Sequence, residues 1–445
     1  MGGATMKRRL CALALCSALL LSLAPARAEE VSLREAGLFS GSARFAAHGS
    51  LVIDADEDYR EGLFTIEGEE QIPRAYESLL EGERGLFVAQ EEDGLNTRGM
   101  LDAQGNVLVP LAYGDVLFLS DRWAVGVVLE QTLSNVCDYE DYIDGGNYNA
   151  VTYDVYDLCV GEKVGYFTRQ GCEALCAHGD YLYVLDRSGE VMAYDAQLRR
   201  AQGGLAGIYD AYETRDGDVV CLHTGEVILE NHRYAAGSGD GRLIVVDADA
   251  EAGVCSADGQ IEIACAYDGM YPFDAHGYAR VKQGEDVGLI DAQGNVLVPC
   301  AYDDILRLSF DGDYVCAIDG YACVEDEGKL GYVGPDGEVS CPAYYTGATV
   351  IGLSMILPDT RGELYIIAAD GALTRTDYVA FDPYCGGDGR LLKAQNAQGM
   401  WGIVDWHGNE LTAFDQPYAS SLAIAPDGSA ILVEREDGMQ AYVLS

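Results

Sequence analysis

The chain has 445 residues and carries 73 acidic side chains against 28 basic ones, a formal charge of −45, while 49% of it is hydrophobic. Such a surface repels nucleic acid phosphates and anionic lipid headgroups, so both are poor partners, and it suits solubility, cation uptake or a basic partner. The apolar fraction is that of a chain able to bury a core, which excludes global disorder.

Met1 to Ala28 reads as a secretory signal peptide. Lys7-Arg8-Arg9 forms the basic start, the apolar run from Leu10 to Leu23 is too short to span a bilayer, and Ala26-x-Ala28 is a cleavage signal. An uncleaved anchor is the weaker reading, and Cys16, standing mid-run, makes no lipobox. Cleavage after Ala28 leaves residues 29–445 as a single domain, secreted or held at the cell surface, with no membrane span. It removes four basic residues (Lys7, Arg8, Arg9, Arg27) and no acidic one, so the remainder is more acidic still. Cys11 and Cys16 go with it, leaving an even number of the fourteen cysteines, which permits disulfides without fixing their connectivity.

Leu51-Val-Ile53 is an expected strand, with Ile431-Leu-Val433 as its partner in closing the fold end to end. Asp54-Ala-Asp56-Glu-Asp58 and Asp247-Ala-Asp249-Ala-Glu251 alternate carboxylates like the start of a calcium loop. Both lack Gly at the sixth position and Glu at the twelfth, so solvated acidic turns are expected and no cofactor or metal is assigned.

The decisive feature is repetition. Asp102–Pro110 and Asp291–Pro299 both read DAQGNVLVP, nine identical residues inside a longer match from Arg98 to Val116 and from Val287 to Ile305. Weaker copies start at Gly62, Gly253, Gly331 and Trp401-Gly402, and degenerate ones at Gly165, Tyr183 and Tyr365. Gly62 to Gly99, Gly253 to Gly288 and Gly288 to Gly331 set intervals of 37, 35 and 43 residues. Within a unit, Leu289-Ile290 begins a strand. Asp291-Ala-Gln-Gly294 places Asp first and Gly fourth in a type I turn, and Asn295 to Val298 returns as the second strand. Pro299 has no N–H to donate and is expected to end that strand. Cys265 and Cys300 occupy equivalent repeat positions, which marks them as small apolar side chains rather than staples.

Between Gly99 and Gly165 the interval stretches to 66 residues and holds a Tyr/Asp-rich insertion near 131–161. Tyr139, Tyr142, Tyr148, Tyr153 and Tyr156 alternate with acids there, a composition suited to a ligand-contact loop. Cys137 and Cys159 bracket it and form the best disulfide candidate.

These units resemble the WG-repeat family, whose pattern runs W/x-G-L-I/x-D/N-x-x-G-x-x-V/I-x-P-x-x-Y-D-x-I. The resemblance covers 62–409 except near 117–160 and 190–250. The family's Trp survives only at Trp401; Arg98, Val287 and Leu330 stand elsewhere, so that aromatic is not a required binding residue. The resemblance implies an exported repeat scaffold and leaves its ligand open.

With scarce helical periodicity and an interval at the low end for a propeller blade, the expected fold is all-β. We expect a closed β-propeller of about seven to eight blades, with an open β-solenoid as the alternative. Six scattered histidines and the absence of metalloprotease and serine-hydrolase motifs argue against an enzyme. The expected function is non-catalytic binding of a protein or glycan by a monomer. A carbohydrate-active hydrolase, which needs two facing carboxylates, and a purely structural envelope protein are the alternatives.

Overall fold

A computed structural model describes residues 32–82, 85–92, 96–120, 122–131, 148–168, 172, 174–178, 181–185, 191–200, 212–221, 226–384 and 386–444. The leader, Cys137, Tyr139 and Tyr142 lie outside them. Among the described residues the chain is all-β, with helix limited to a 3-10 turn at Ala419–Ser421.

Among the described residues eleven antiparallel sheets of three or four strands follow one another along the chain. Ten are built from consecutive segments: 44–76, 78–113, 115–168, 174–194, 212–229, 233–267, 269–302, 304–345, 349–375 and 380–405. The eleventh takes 422–444 and adds Leu33–Phe39, which pairs with Gly438–Leu444. Neighbouring sheets share cores. Leu63, Ile72, Leu79 and Phe87 join the first to the second, and Phe39, Val52, Phe64 and Leu432 join the eleventh back to the first. The result is a ring of small sheets resembling a β-propeller.

Two expectations are corrected. The sheets among the described residues number eleven, not seven to eight, because the stretches at 117–160 and 190–250 that match the repeat poorly carry strands of their own. The terminal pairing uses Leu33–Phe39 with Gly438–Leu444; Val52–Ala55 belongs to the next sheet and Ala430–Arg435 lies one strand further in.

Burial follows position in the sheet. Inner strands carry most of the burial, and Val52–Ala55 is buried throughout, being covered on both faces. The fourth strand alternates: Glu70–Tyr76, Val107–Tyr113, Val296–Tyr302 and Val339–Tyr345 each bury their third residue (Ile72, Val109, Val298, Cys341) and expose the proline that follows. Pro299 therefore sits within its strand instead of ending it. This is allowed because the fourth strand is the sheet edge, where no neighbour needs its N–H. Register slips at the proline, and the repeat glycine stands opposite. A Cβ on Gly288 would lie 2.7 Å from the Val298 oxygen, and Gly62, Gly99, Gly253 and Gly331 meet their edge strands equally closely. The glycine that names the repeat is thus required by close approach of backbone to backbone.

Candidate binding surface

The Asp-x-x-Gly turn is assembled locally. Asp291 Oδ1 accepts the N–H groups of Gln293 (2.9 Å) and Asn295 (2.8 Å), and Asp102 and Asp405 make the same pair of bonds. Asp56 and Asp247 cap turns between second and third strands in this way, while Asp54 is buried and bound to Arg74 and Ser40. The carboxylates of Asp54, Asp56 and Asp247 are therefore engaged within the chain. Among the described residues no three His, Cys, Asp or Glu side chains are placed to share an ion.

The turn also links sheet to sheet. Gly371 of the ninth sheet rests on the Ser340 carbonyl of the eighth, Gly337 of the eighth on Leu297 of the seventh, and Gly259 of the sixth on Ile228 of the fifth. In these sheets the last strand thus starts beside its neighbour's. The residues opening those strands are Val227, Ile261, Val296, Val339 and Leu373, aliphatic in five consecutive sheets and between 38% and 58% exposed. Single exposed apolar residues are ordinary; one at the same position in five adjoining units forms an arc. The tenth sheet holds Glu410 there, which ends the arc on that side; elsewhere the position holds Glu70 in the first sheet and Val107, 53% exposed, in the second.

A depression of about 450 Å³ lies between the sixth and seventh sheets, lined by Asp240, Arg242, Glu262, Ile263, Ala292 and Gln293. Arg242 pairs with Asp240 and reaches Glu262 at 3.2 Å, and its guanidinium stands 4.9 Å from the Phe273 ring centre. Burial alone pushes the Asp240 carboxyl up, but hydrogen bonds from Arg242 and Ser238 outweigh it and hold the group below the ordinary range. The depression is thereby fixed as an ionised patch beside Ile261.

Residues 253–285 and 288–329 match the model of the WG containing repeat. Two units of the chain are WG repeats. Each starts in the third strand of one sheet and runs through the second strand of the next, so a WG repeat spans two blades and neither is complete alone. No curated protein matches the chain. Among solved structures it is similar to a computationally designed protein, Ika8, at 13% identity, over 62% of this chain and 97% of that one, with a TM-score of 0.22. It is similar to the eukaryotic initiation factor at 11%, over 80% and 90%, with a TM-score of 0.33. The third is BamB from Moraxella catarrhalis, at 12%, over 92% and 99%, with a TM-score of 0.26. Likenesses this loose carry no argument.

The tyrosine-rich insertion does not form one loop. Tyr148–Asp157 is the third strand of the third sheet, paired with Trp123–Gln131 and Glu162–Thr168. Tyr156 is buried, with its hydroxyl 2.6 Å from that of Tyr113, which donates to Asp154 at 2.9 Å. Burial and these partners push the Tyr113 phenol far above its usual range. Tyr156 is thereby corrected from ligand contact to core residue, and Tyr153 is half-buried against the Trp123 cluster. Cys159 is exposed; Cys137 falls outside the described residues, as do Tyr139 and Tyr142. The apolar arc went unread in the sequence, although an aliphatic residue two positions after the turn glycine, as in Gly294-Asn-Val296 and Gly337-Glu-Val339, marks it.

Proposed function

We propose that the chain is a non-catalytic scaffold, exported by its leader, that binds a basic protein at or outside the cell surface through the arc from Val227 to Leu373. The arc carries the reading: five aliphatic side chains at one repeat position offer apolar contact, and the charge of −45 selects a cationic partner. A protein fits better than a glycan, because these side chains are aliphatic and sugar rings are commonly gripped by flat aromatic faces.

The test uses two labelled peptides of equal length, one alternating Leu and Lys and one with Ser in place of Leu. Fluorescence anisotropy on the full chain should show tighter binding of the Leu-containing peptide. Val296→Ser with Val339→Ser should remove that advantage and leave the Ser-containing peptide unchanged. Equal affinity for both peptides, or an advantage that survives the double substitution, rejects the arc as the binding surface.

A further inference from the structure

The ninth and tenth sheets leave a cavity of about 230 Å³ between them. The ninth sheet supplies one wall. Ile351 on its first strand, Ile356 and Pro358 on its second and Leu364 on its third share a face, since residues two apart on a strand point the same way and Pro358 stands opposite Leu364. The tenth sheet supplies the other wall through Ala380 and Phe381, its first strand, and through Pro383 just beyond. Thr349, opposite Ile356, is the one lining residue with a polar side chain.

Phe381 marks this junction as different from the others. In neighbouring units the residue three places after the repeat tyrosine is Leu79, Val116 or Ile305, aliphatic and buried. Three places after Tyr378 the chain has an aromatic ring instead, and it is only half-buried. Tyr378 meets that ring edge to face at 5.7 Å and itself stacks on Phe414 at 5.4 Å, so Phe381 is held in place while it lines the cavity. A void of this size forfeits the contacts of every atom around it unless something occupies it.

We infer that the cavity binds a small uncharged aromatic molecule, a single ring with at most a short apolar substituent. This is a function separate from the apolar arc. Size sets the upper limit: an apolar cavity of about 150 Å³ lined by such side chains stays dry and takes up benzene, and this one is somewhat larger. The Phe381 ring favours an aromatic partner over a saturated one, because offset and edge-to-face pairs add to the burial of area. Charge sets the other limit. Asp359 and Asp382 adjoin the lining prolines, and their carboxylates are fixed by the N–H groups of Arg361 and Tyr384. Anionic rings are therefore turned away.

The experiment is calorimetric titration of the full chain with toluene, with methylcyclohexane and benzoate as comparisons. Saturable binding of toluene is expected, weaker binding of methylcyclohexane, and none of benzoate. Ala380→Leu, which fills the cavity, should weaken toluene at least about tenfold, the order by which hydrophobic pockets discriminate on a methylene. Phe381→Leu, which restores the aliphatic residue of the other units, should abolish the preference for toluene over methylcyclohexane. That ratio decides the matter even if Ala380→Leu does not fold. Val296→Ser with Val339→Ser should leave toluene binding unchanged, which separates failure of this site from failure of the arc. The proposal is overturned if toluene does not saturate, if folded Ala380→Leu binds it as tightly as wild type, or if Phe381→Leu keeps the preference. Tighter binding of N-acetylphenylalanine amide than of toluene also overturns it, by giving the cavity to a side chain of a partner protein.

Discussion

Gly371, in a turn of the ninth sheet, lies against the Ser340 carbonyl of the eighth so closely that a Cβ would stand 2.4 Å from the oxygen. Its φ of 92° is also one that L side chains avoid. Gly371→Ala therefore meets strain and collision together, and a loss of about 2–4 kcal/mol is expected in urea unfolding. Gly362, at φ 81° with open space around it, isolates the backbone part, and Gly362→Ala should lose only about 1 kcal/mol. Equal losses at the two sites mean that the contact between sheets contributes nothing.

Asp54 shows a second dependence between units. Its side chain is fully buried, bound by Arg74 and by the Ser40 hydroxyl at 2.5 Å, while the Arg74 guanidinium lies 4.2 Å from the centre of the Phe64 ring. Arg74→Met keeps the stem packing and strands the carboxylate. Because Arg74 is itself about a third exposed, the loss should fall near 2–3 kcal/mol, below that of a wholly buried pair. Adding Asp54→Asn to Arg74→Met should recover part of it; no recovery in the double variant shows that Asp54 is not what Arg74 serves.

Much of this arrangement is local, and that part was legible. The Asp-x-x-Gly turn and its return strand follow from a few residues whose backbone preferences decide the geometry. The number of sheets was not legible, since it depends on the third to fifth sheets, where strands such as Tyr181–Leu185 lack the glycine and proline that announce a unit. In Tyr148–Asp157 the alternation of Tyr153 and Val155 is a strand signal; composition drew attention to the tyrosines and acids instead.

Acid should weaken the repeat turns. Burial raises the Asp291 carboxyl somewhat, but hydrogen bonds from the Asn295 side chain and from the N–H groups of Asn295, Gln293 and Gly294 prevail and hold it below 3.8. A folded-state value below the unfolded one means that the ionised form stabilises fully above the ordinary carboxylate range. That stability is lost as pH falls through the folded value. Asn396 makes the same two backbone bonds without a charge, so Asp291→Asn should preserve the turn. Melting temperatures from pH 7 to 2 should show the variant below wild type at neutral pH and level with it at pH 2. A gap that is constant with pH refutes the electrostatic account.

The eighth sheet carries an added hairpin, Leu308–Phe310 with Asp313–Val315, whose tip reaches the first and eleventh sheets. Asp311 and Gly312 turn it with φ 48° and 82°, the pairing that a two-residue hairpin favours, and Asp-Gly is its sequence signature. Asp311 then fastens the tip: its carboxylate accepts the Gly49 N–H at 2.5 Å and its own N–H donates to the Pro426 carbonyl at 3.0 Å. Asp311→Asn keeps an acceptor and tolerates the left-handed backbone, so it should hold the tip in place. Asp311→Gly suits the turn equally well but removes the acceptor, which separates fastening from turn formation. Hydrogen exchange at the Gly49 amide should therefore quicken about tenfold in Asp311→Gly, matching the loss of one charge-assisted bond, and change little in Asp311→Asn. If both variants exchange as slowly as wild type, the hairpin is held by the packing of Phe310 on His276, 5.3 Å apart, and not by Asp311.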